Sequence, residues 1–182
     1  MNQSVMAQSI IDRSKGVLML NDPTYEEIEH DPSATTQAAI VVAVVGLATG
    51  IGAIGDEWYS IIVSPVAALI GWVVASALIF FVGTRLTPSA TTEADLGQVL
   101  RLYGFATVAG IANILGFLGW FGDIIGFLAF VLTLVLIVKA IMHSLEMSPL
   151  RAIGTGLLAL LGWIVVLLIL GAIFSVALVP FA

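Results

Sequence analysis

With 60% of its 182 residues hydrophobic and only 10% charged, the chain carries more apolar surface than one small core can bury, because soluble domains hold about 25% charged side chains. A net charge of −6 offers no basic face for nucleic acid, and the lack of cysteine excludes disulfides, thiolate metal sites and thiol nucleophiles. Lipid is therefore the expected solvent, and the expected class is an all-α polytopic membrane protein, a five-helix transmembrane bundle preceded by a cytoplasmic amphipathic segment.

Residues 1–35 form the expected N-terminal segment. Its opening, MNQSVMAQSIIDRSKG, is polar and mixed in charge, unlike a cleavable leader. Met6, Ile10 and Val17 share one helical face, interrupted by Gly16. In NDPTYEEIEHDP, Asp22 is the expected N-cap and Pro23 the first helical residue, with Glu26 and Glu27 near the positive helix end.

Residues 36–182 carry five apolar stretches, 36–55, 64–83, 102–121, 124–142 and 152–178. Each is close to the roughly 20 residues that cross a bilayer core. Ser64 and Pro65 predict the start of the second span, and Ser148 with Pro149 a helix start before the fifth. Gly122 and Asp123 are the expected turn between the third and fourth. Within TTEADLGQVLRLYG, Thr92 and Asp95 have capping-box spacing. Leu96, Val99, Leu100 and Tyr103 then follow on one face, predicting a short interfacial helix that turns into the third span.

All six basic residues, Arg13, Lys15, Arg85, Arg101, Lys139 and Arg151, fall on one side when five spans are threaded. Asp56, Glu57 and Asp123 fall on the other. The positive-inside rule then places the N-terminus in the cytoplasm and the C-terminus outside a plasma (inner) membrane.

The segment DLGQVLRLYGFATVAGIANILGFLGW, residues 95–120, together with R-x-K-G-V-L and NDPTYEEI near the start and MHSLEMSPLRAI at 142–153, resembles the YIP1-domain membrane proteins in their bacterial form. The resemblance covers nearly the whole chain. It implies five spans, a cytosolic N-terminus and no catalytic residues. Eukaryotic members act in vesicle traffic with small GTPases of the Rab type, a role that does not transfer to bacteria, which lack that system. Members often carry a proline early in the third span, where this chain has ATVAG at 106–110.

Candidate positions follow from the chemistry of a membrane interior. Between helices in lipid, small residues permit close packing. Gly46 and Gly50 form G-x-x-x-G, and Ala106 with Gly110 and Gly122 with Gly126 have the same spacing. Asn113, at mid-span, is expected to bond a neighbouring helix. Among charges, the acidic run Asp22, Glu26, Glu27, Glu29 and Asp31 is expected to fold back over Arg85, Arg101, Lys139 and Arg151. His30 and His143 read as solvated surface histidines. Trp58 and Tyr59 suit an aromatic belt, while Trp72 and Trp163 suit packing.

No H-E-x-x-H, G-x-x-x-x-G-K-[ST], G-x-S-x-G or dinucleotide fingerprint occurs, so no catalytic residue, cofactor or metal is expected. The expected partners are membrane lipids, and other proteins or a second copy within the membrane, without nucleic acid. The leading functional expectation is a non-enzymatic scaffold or interaction protein, such as an accessory subunit of a larger membrane complex. The rival is a small-solute channel or transporter using Asn113, Thr107 and Thr133.

Overall fold

The structure is a computed structural model and describes residues 3–54, 58–88 and 94–178. Asp56, Glu57 and Thr92 lie outside the described residues. Among the described residues, seven α-helices follow in order: α1 (Gln3–Leu18), α2 (Asp22–His30), α3 (Ala34–Gly52), α4 (Ser60–Phe81), α5 (Leu96–Ala106), α6 (Trp120–Ser144) and α7 (Pro149–Leu178). A π-helical turn, Val82–Leu86, extends α4, and a 3-10 segment, Thr107–Leu118, extends α5. No strand occurs among the described residues. Five of these units are long and apolar enough to cross a membrane: Ala34–Gly52, Ser60–Leu86, Leu96–Leu118, Trp120–Ser144 and Pro149–Ala172.

Several ends differ from expectation, each for a local reason. Helix α2 is capped by Asn21, whose side chain accepts from the Thr24 amide at 3.3 Å, so Asp22 enters the first turn and its carboxylate is left for other partners. Helix α4 begins at Ser60, one turn before the expected start, and Pro65 sits inside it. Ser60 Oγ donates to the Gly50 carbonyl at 2.7 Å, which anchors that earlier turn on α3. Asp95 rather than Thr92 caps α5, and its amide donates to Gln98 Oε1 at 2.7 Å. The expected interfacial helix is instead the first half of the third span. Its apolar face packs on protein, with Val99 1% exposed. Gly119 (φ +61°, ψ −137°) makes the turn into α6, three residues before the expected site. That backbone region is essentially reserved for glycine.

Helices α1 and α6 both end in Schellman motifs. At the first, Asn21 donates to the Gly16 carbonyl and Leu20 to that of Val17; at the second, Met147 donates to Met142 and Glu146 to His143. Leu20 (φ 56°) and Glu146 (φ 47°) occupy the left-handed position usually held by glycine. Gly16 serves a different need. A methyl group there would collide with the Thr24 side chain, so the glycine lets α2 fold tightly against α1.

The third span is central. Its α-helical half touches α3, α4, α6 and both N-terminal helices, and its 3-10 half lies mainly between α3 and α6. Helix α7 is peripheral, with only 11% of its most apolar window buried inside the protein. One core joins Val17, Tyr25, Ile28, Trp72, Leu102 and Phe105. A second joins Ile79, Val82, Val99, Ile141, Leu145 and Met147 at the basic end of α4, α6 and α7. Many other apolar side chains on α4, α6 and the described part of α7 face outward, such as Ile70, Phe127, Phe130, Leu161 and Leu168, as lipid-facing residues of a bundle do.

A methyl group on Gly46 would lie 2.5 Å from the Cα of Pro65 and 3.0 Å from Ala68 Cβ, whereas one on Gly71 would meet nothing within 4 Å. Backbone cannot yield cheaply, so Gly46→Ala should destabilise the bundle by about 1–3 kcal/mol while Gly71→Ala leaves it unchanged. Thermal unfolding in detergent, followed by circular dichroism, measures both. Equal midpoints would refute the tight α3–α4 contact.

Candidate functional site

Two regions of the molecule concentrate its chemistry: the polar contacts that hold α1 and α2 on one end of the bundle, and the space between the spans. The first centres on Arg13, which is 6% exposed. Its Nη2 donates to Glu27 Oε1 at 2.8 Å and to Asp31 Oδ2 at 2.6 Å, its Nε to Glu27 Oε1 at 3.0 Å, and its Nη1 to Gln37 Oε1 at 2.9 Å. The planar guanidinium thus ties α1 to α2, to the residue after it, and to the first turns of α3. Gln37 is itself buried and reaches Ser9 Oγ through Nε2 at 3.5 Å. Asp31 also accepts from the Ser33 amide and hydroxyl at 2.9 and 2.8 Å. Those bonds, joined by Arg13, hold its carboxyl below the usual range.

The second tie joins α2 to α6. Asp22 Oδ1 accepts from Lys139 Nζ at 2.5 Å and lies 3.0 Å from His143 Nε2. His143 stacks on Tyr25, with ring centroids 5.1 Å apart and planes 18° apart. The solvated-surface expectation for His143 therefore fails, because the α2 docking that buries Tyr25 covers it. Tyr25 is fully buried and its hydroxyl donates to the Val17 carbonyl at 3.3 Å. Burial pushes that phenol well above its ordinary range.

A third tie joins α2 to the third span. Arg101, 8% exposed, donates through Nη2 to the Glu29 carbonyl at 2.6 Å, and Gln98 Nε2 reaches Glu29 Oε1 at 3.2 Å. Burial raises the Glu29 carboxyl above its usual range. Among described residues, one carboxylate of the expected run, Asp22, meets one of the expected bases, Lys139. Glu27 and Asp31 pair with Arg13 instead, and Arg101 takes a backbone oxygen. The carbonyl of Glu26 faces His30 Nδ1 at 2.8 Å. Arg85 is exposed, and Arg151, also exposed, donates to the Pro88 carbonyl at 3.4 Å. Arg13 was absent from the expected pairs because its partners converge only when α1, α2 and α3 meet. Its one sequence signal was a lone arginine on an otherwise small, apolar helical face.

The small residues lie at contacts within the bundle. Gly46 and Gly50 face the start of α4, the latter against the Ser60 carbonyl. A methyl group on Gly110 would lie 2.8 Å from Val45 Cγ1, and one on Gly122 would lie 2.9 Å from Gly116 Cα. Ala106 is fully buried. Asn113 Nδ2 donates to Thr49 Oγ1 at 3.2 Å, linking the third span to the first, and its Oδ1 lies 3.6 Å from where a Gly126 methyl would sit. Thr107 and Thr133 donate to carbonyls of their own helices, Gly104 and Ala129. A cavity of about 520 Å³ opens among α3, α4, α5, α6 and α7, apolar in its lining and bordered by Trp72, Tyr103 and Trp163. Asn113 does not line it. No cluster of metal-ligating side chains occurs among the described residues.

Replacing Arg13 by alanine removes the guanidinium donors to Gln37 and Glu27 and leaves Asp31 with Ser33 alone. The docking of α1 should weaken by about 2 kcal/mol, roughly thirtyfold in its opening equilibrium, and hydrogen exchange across residues 5–18 should accelerate accordingly. Unchanged exchange would contradict the role given to Arg13.

The Asp22 contact has a defined pH dependence. Bonds from Lys139, then His143, hold its carboxyl below the ordinary value. A depressed carboxyl favours the docked state above its free value, near ~4, and loses that contribution as pH falls through the lowered one. The part of α2's protection from proteolysis that Asp22 supplies should therefore be flat from neutrality down to about pH 5 and fall only in stronger acid. The Asp22→Asn variant should lack the part of that acid fall due to this carboxyl. An identical acid profile in the variant would remove Asp22 from the account.

A family model for the Yip1 domain matches residues 15–173, a range that runs from the end of α1 into α7. No curated protein and no solved structure matches the chain.

Proposed function

Since the chain belongs to the Yip1-domain family and is a membrane protein with five apolar helices long enough to span, we propose that it is a non-enzymatic scaffold that binds other proteins, as an accessory subunit of a larger membrane complex. The observation that carries this reading is the fixed N-terminal unit. Buried Arg13, Gln37 and Arg101 and the Asp22–Lys139 pair hold two short polar helices on the bundle end. Buried ionic contacts contribute little net stability and are best understood as setting geometry. The geometry they set is a folded surface with a cleft of about 590 Å³, bordered by Val5, Gln8, Asp12, Arg13, Thr24 and Glu27.

In this reading the protein is of the bacterial type and sits in the plasma (inner) membrane. The end carrying α1 and α2 faces the cytoplasm and the C-terminus faces outward, as the distribution of Lys and Arg supports. The small-residue contacts build the bundle, and partners meet the α1–α2 surface. A channel or transporter centred on Asn113 is less favoured, because the large cavity is apolar and excludes that residue.

Purification in mild detergent with an affinity tag, followed by mass spectrometry, tests the proposal. A defined protein partner should co-purify with the native chain and be reduced at least about tenfold with Arg13→Ala, which releases α1. Recovery of a lone chain, or a partner equally retained by Arg13→Ala, would refute it.

A further inference from the structure

The cavity of about 520 Å³ is bounded along α4 from Ala68 to Ile79 and along α7 from Ile153 to Trp163. At about 1.5 Å per residue each boundary is roughly 15 Å long, so the space runs along the spans, from mid-bundle towards the basic end. Volume over length gives a mean cross-section of about 35 Å². A helix with its side chains is ~10–12 Å across and needs about 80 Å² or more, so the space between the spans is narrower than a helix. The lining is apolar, and its polar groups are partly spent already. Trp72 Nε1 donates to the Leu100 carbonyl at 2.9 Å and Thr107 Oγ1 to that of Gly104 at 2.7 Å. A polar solute would lose its hydration there without replacement. A slender apolar chain loses nothing.

Past the end of the cavity beside Ile79 and Ile153, beyond the buried Val82, Leu145 and Ala152, the helices carry Arg85 and Arg151. The Val82–Leu86 turn continues α4 past Ile79 and carries Arg85, while Arg151 stands just before Ile153 on α7. Two contacts bring these segments together: Thr87 Oγ1 lies 2.7 Å from Thr155 Oγ1, and Arg151 donates to the Pro88 carbonyl. Arg13 and Lys139 are engaged by carboxylates, and Arg101 is buried against a carbonyl. Arg85 and Arg151 are exposed and have no ion pair to a carboxylate among the described residues. We propose that the cavity is a binding site for one acyl chain of an anionic membrane phospholipid, whose phosphate is held by Arg85 and Arg151. The inference is independent of the scaffold reading.

The test uses the intrinsic fluorophores. The chain has four tryptophans; Trp72 and Trp163 line the cavity, and Trp58 and Trp120 are exposed elsewhere. In a full-length Trp58→Phe/Trp120→Phe background in detergent, phosphatidylglycerol brominated on its acyl chains should quench the remaining emission. It should do so at roughly ten- to thirtyfold lower concentration than phosphatidylcholine with the same chains, given the worth of two arginines at a lipid surface. Gly71→Phe, which places a ring in the open space beside Gly71, should abolish quenching by both lipids. Arg85→Gln/Arg151→Gln should abolish the headgroup preference while leaving quenching itself. Equal quenching by the two lipids in the native background, or undiminished quenching in folded Gly71→Phe, overturns the proposal. If Gly71→Phe does not fold, the arginine variant, altered only at exposed positions, decides, and a preference that survives in it overturns the assignment. A protein chain that co-purifies and shields both tryptophans from either lipid also overturns it.

Discussion

The meeting of α3 with the start of α4 and with the 3-10 half of the third span is the contact on which the bundle depends. Helices in lipid gain no hydrophobic free energy by leaving one apolar medium for another, so association rests on how closely their backbones approach. Here the approach is backbone to backbone. Gly46 meets Pro65, Gly50 meets the Ser60 carbonyl, Gly52 meets the Asn113 carbonyl, and Gly116 meets Gly122. The Asn113–Thr49 and Ser60–Gly50 hydrogen bonds set the register of these contacts. Larger side chains at these positions would hold the spans apart and remove the platform on which everything at the basic end is assembled.

That platform lets two short helices, too polar to enter lipid and too short to persist alone, keep a fixed place. Their apolar side is small: Val17, Tyr25 and Ile28 enter the core, and Tyr25 stacks on His143. Direction comes from charge. Arg13 gathers acceptors from α2, Asp31 and α3, Asp22 reaches α6, and the Glu29 carbonyl reaches the third span. Each tie points to a different element, so together they fix both the position and the rotation of the pair.

The five spans were legible because uninterrupted apolar length depends on composition alone. Their ends were less so. Pro65 reads locally as a first helical residue, yet Ser60 starts the helix because the Gly50 carbonyl, distant in sequence, accepts its hydroxyl. The turn into α6 fell at Gly119 rather than at Gly122 and Asp123, because several glycines are near and only backbone torsion distinguishes them. The 3-10 segment starts at Thr107, and no proline in the sequence marks it. At the basic end the residue types were readable and the partners were not. Glu27 and Asp31 pair with Arg13, a residue that only tertiary docking brings near, while Asp22 reaches Lys139 within the expected set.

The 3-10 stretch has a mechanical consequence. Twelve residues rising ~2.0 Å each instead of ~1.5 Å extend the third span by about 6 Å over the α-helical alternative. Because 3-10 geometry winds ~3.0 residues per turn rather than ~3.6, the far end is also rotated by about two-thirds of a revolution. Gly119 alone separates that end from α6, so the linkage has almost no slack. Rewinding the segment would drag α6 lengthwise past α5, carrying Lys139 away from Asp22. The third span and the N-terminal cap are in this sense geared to each other.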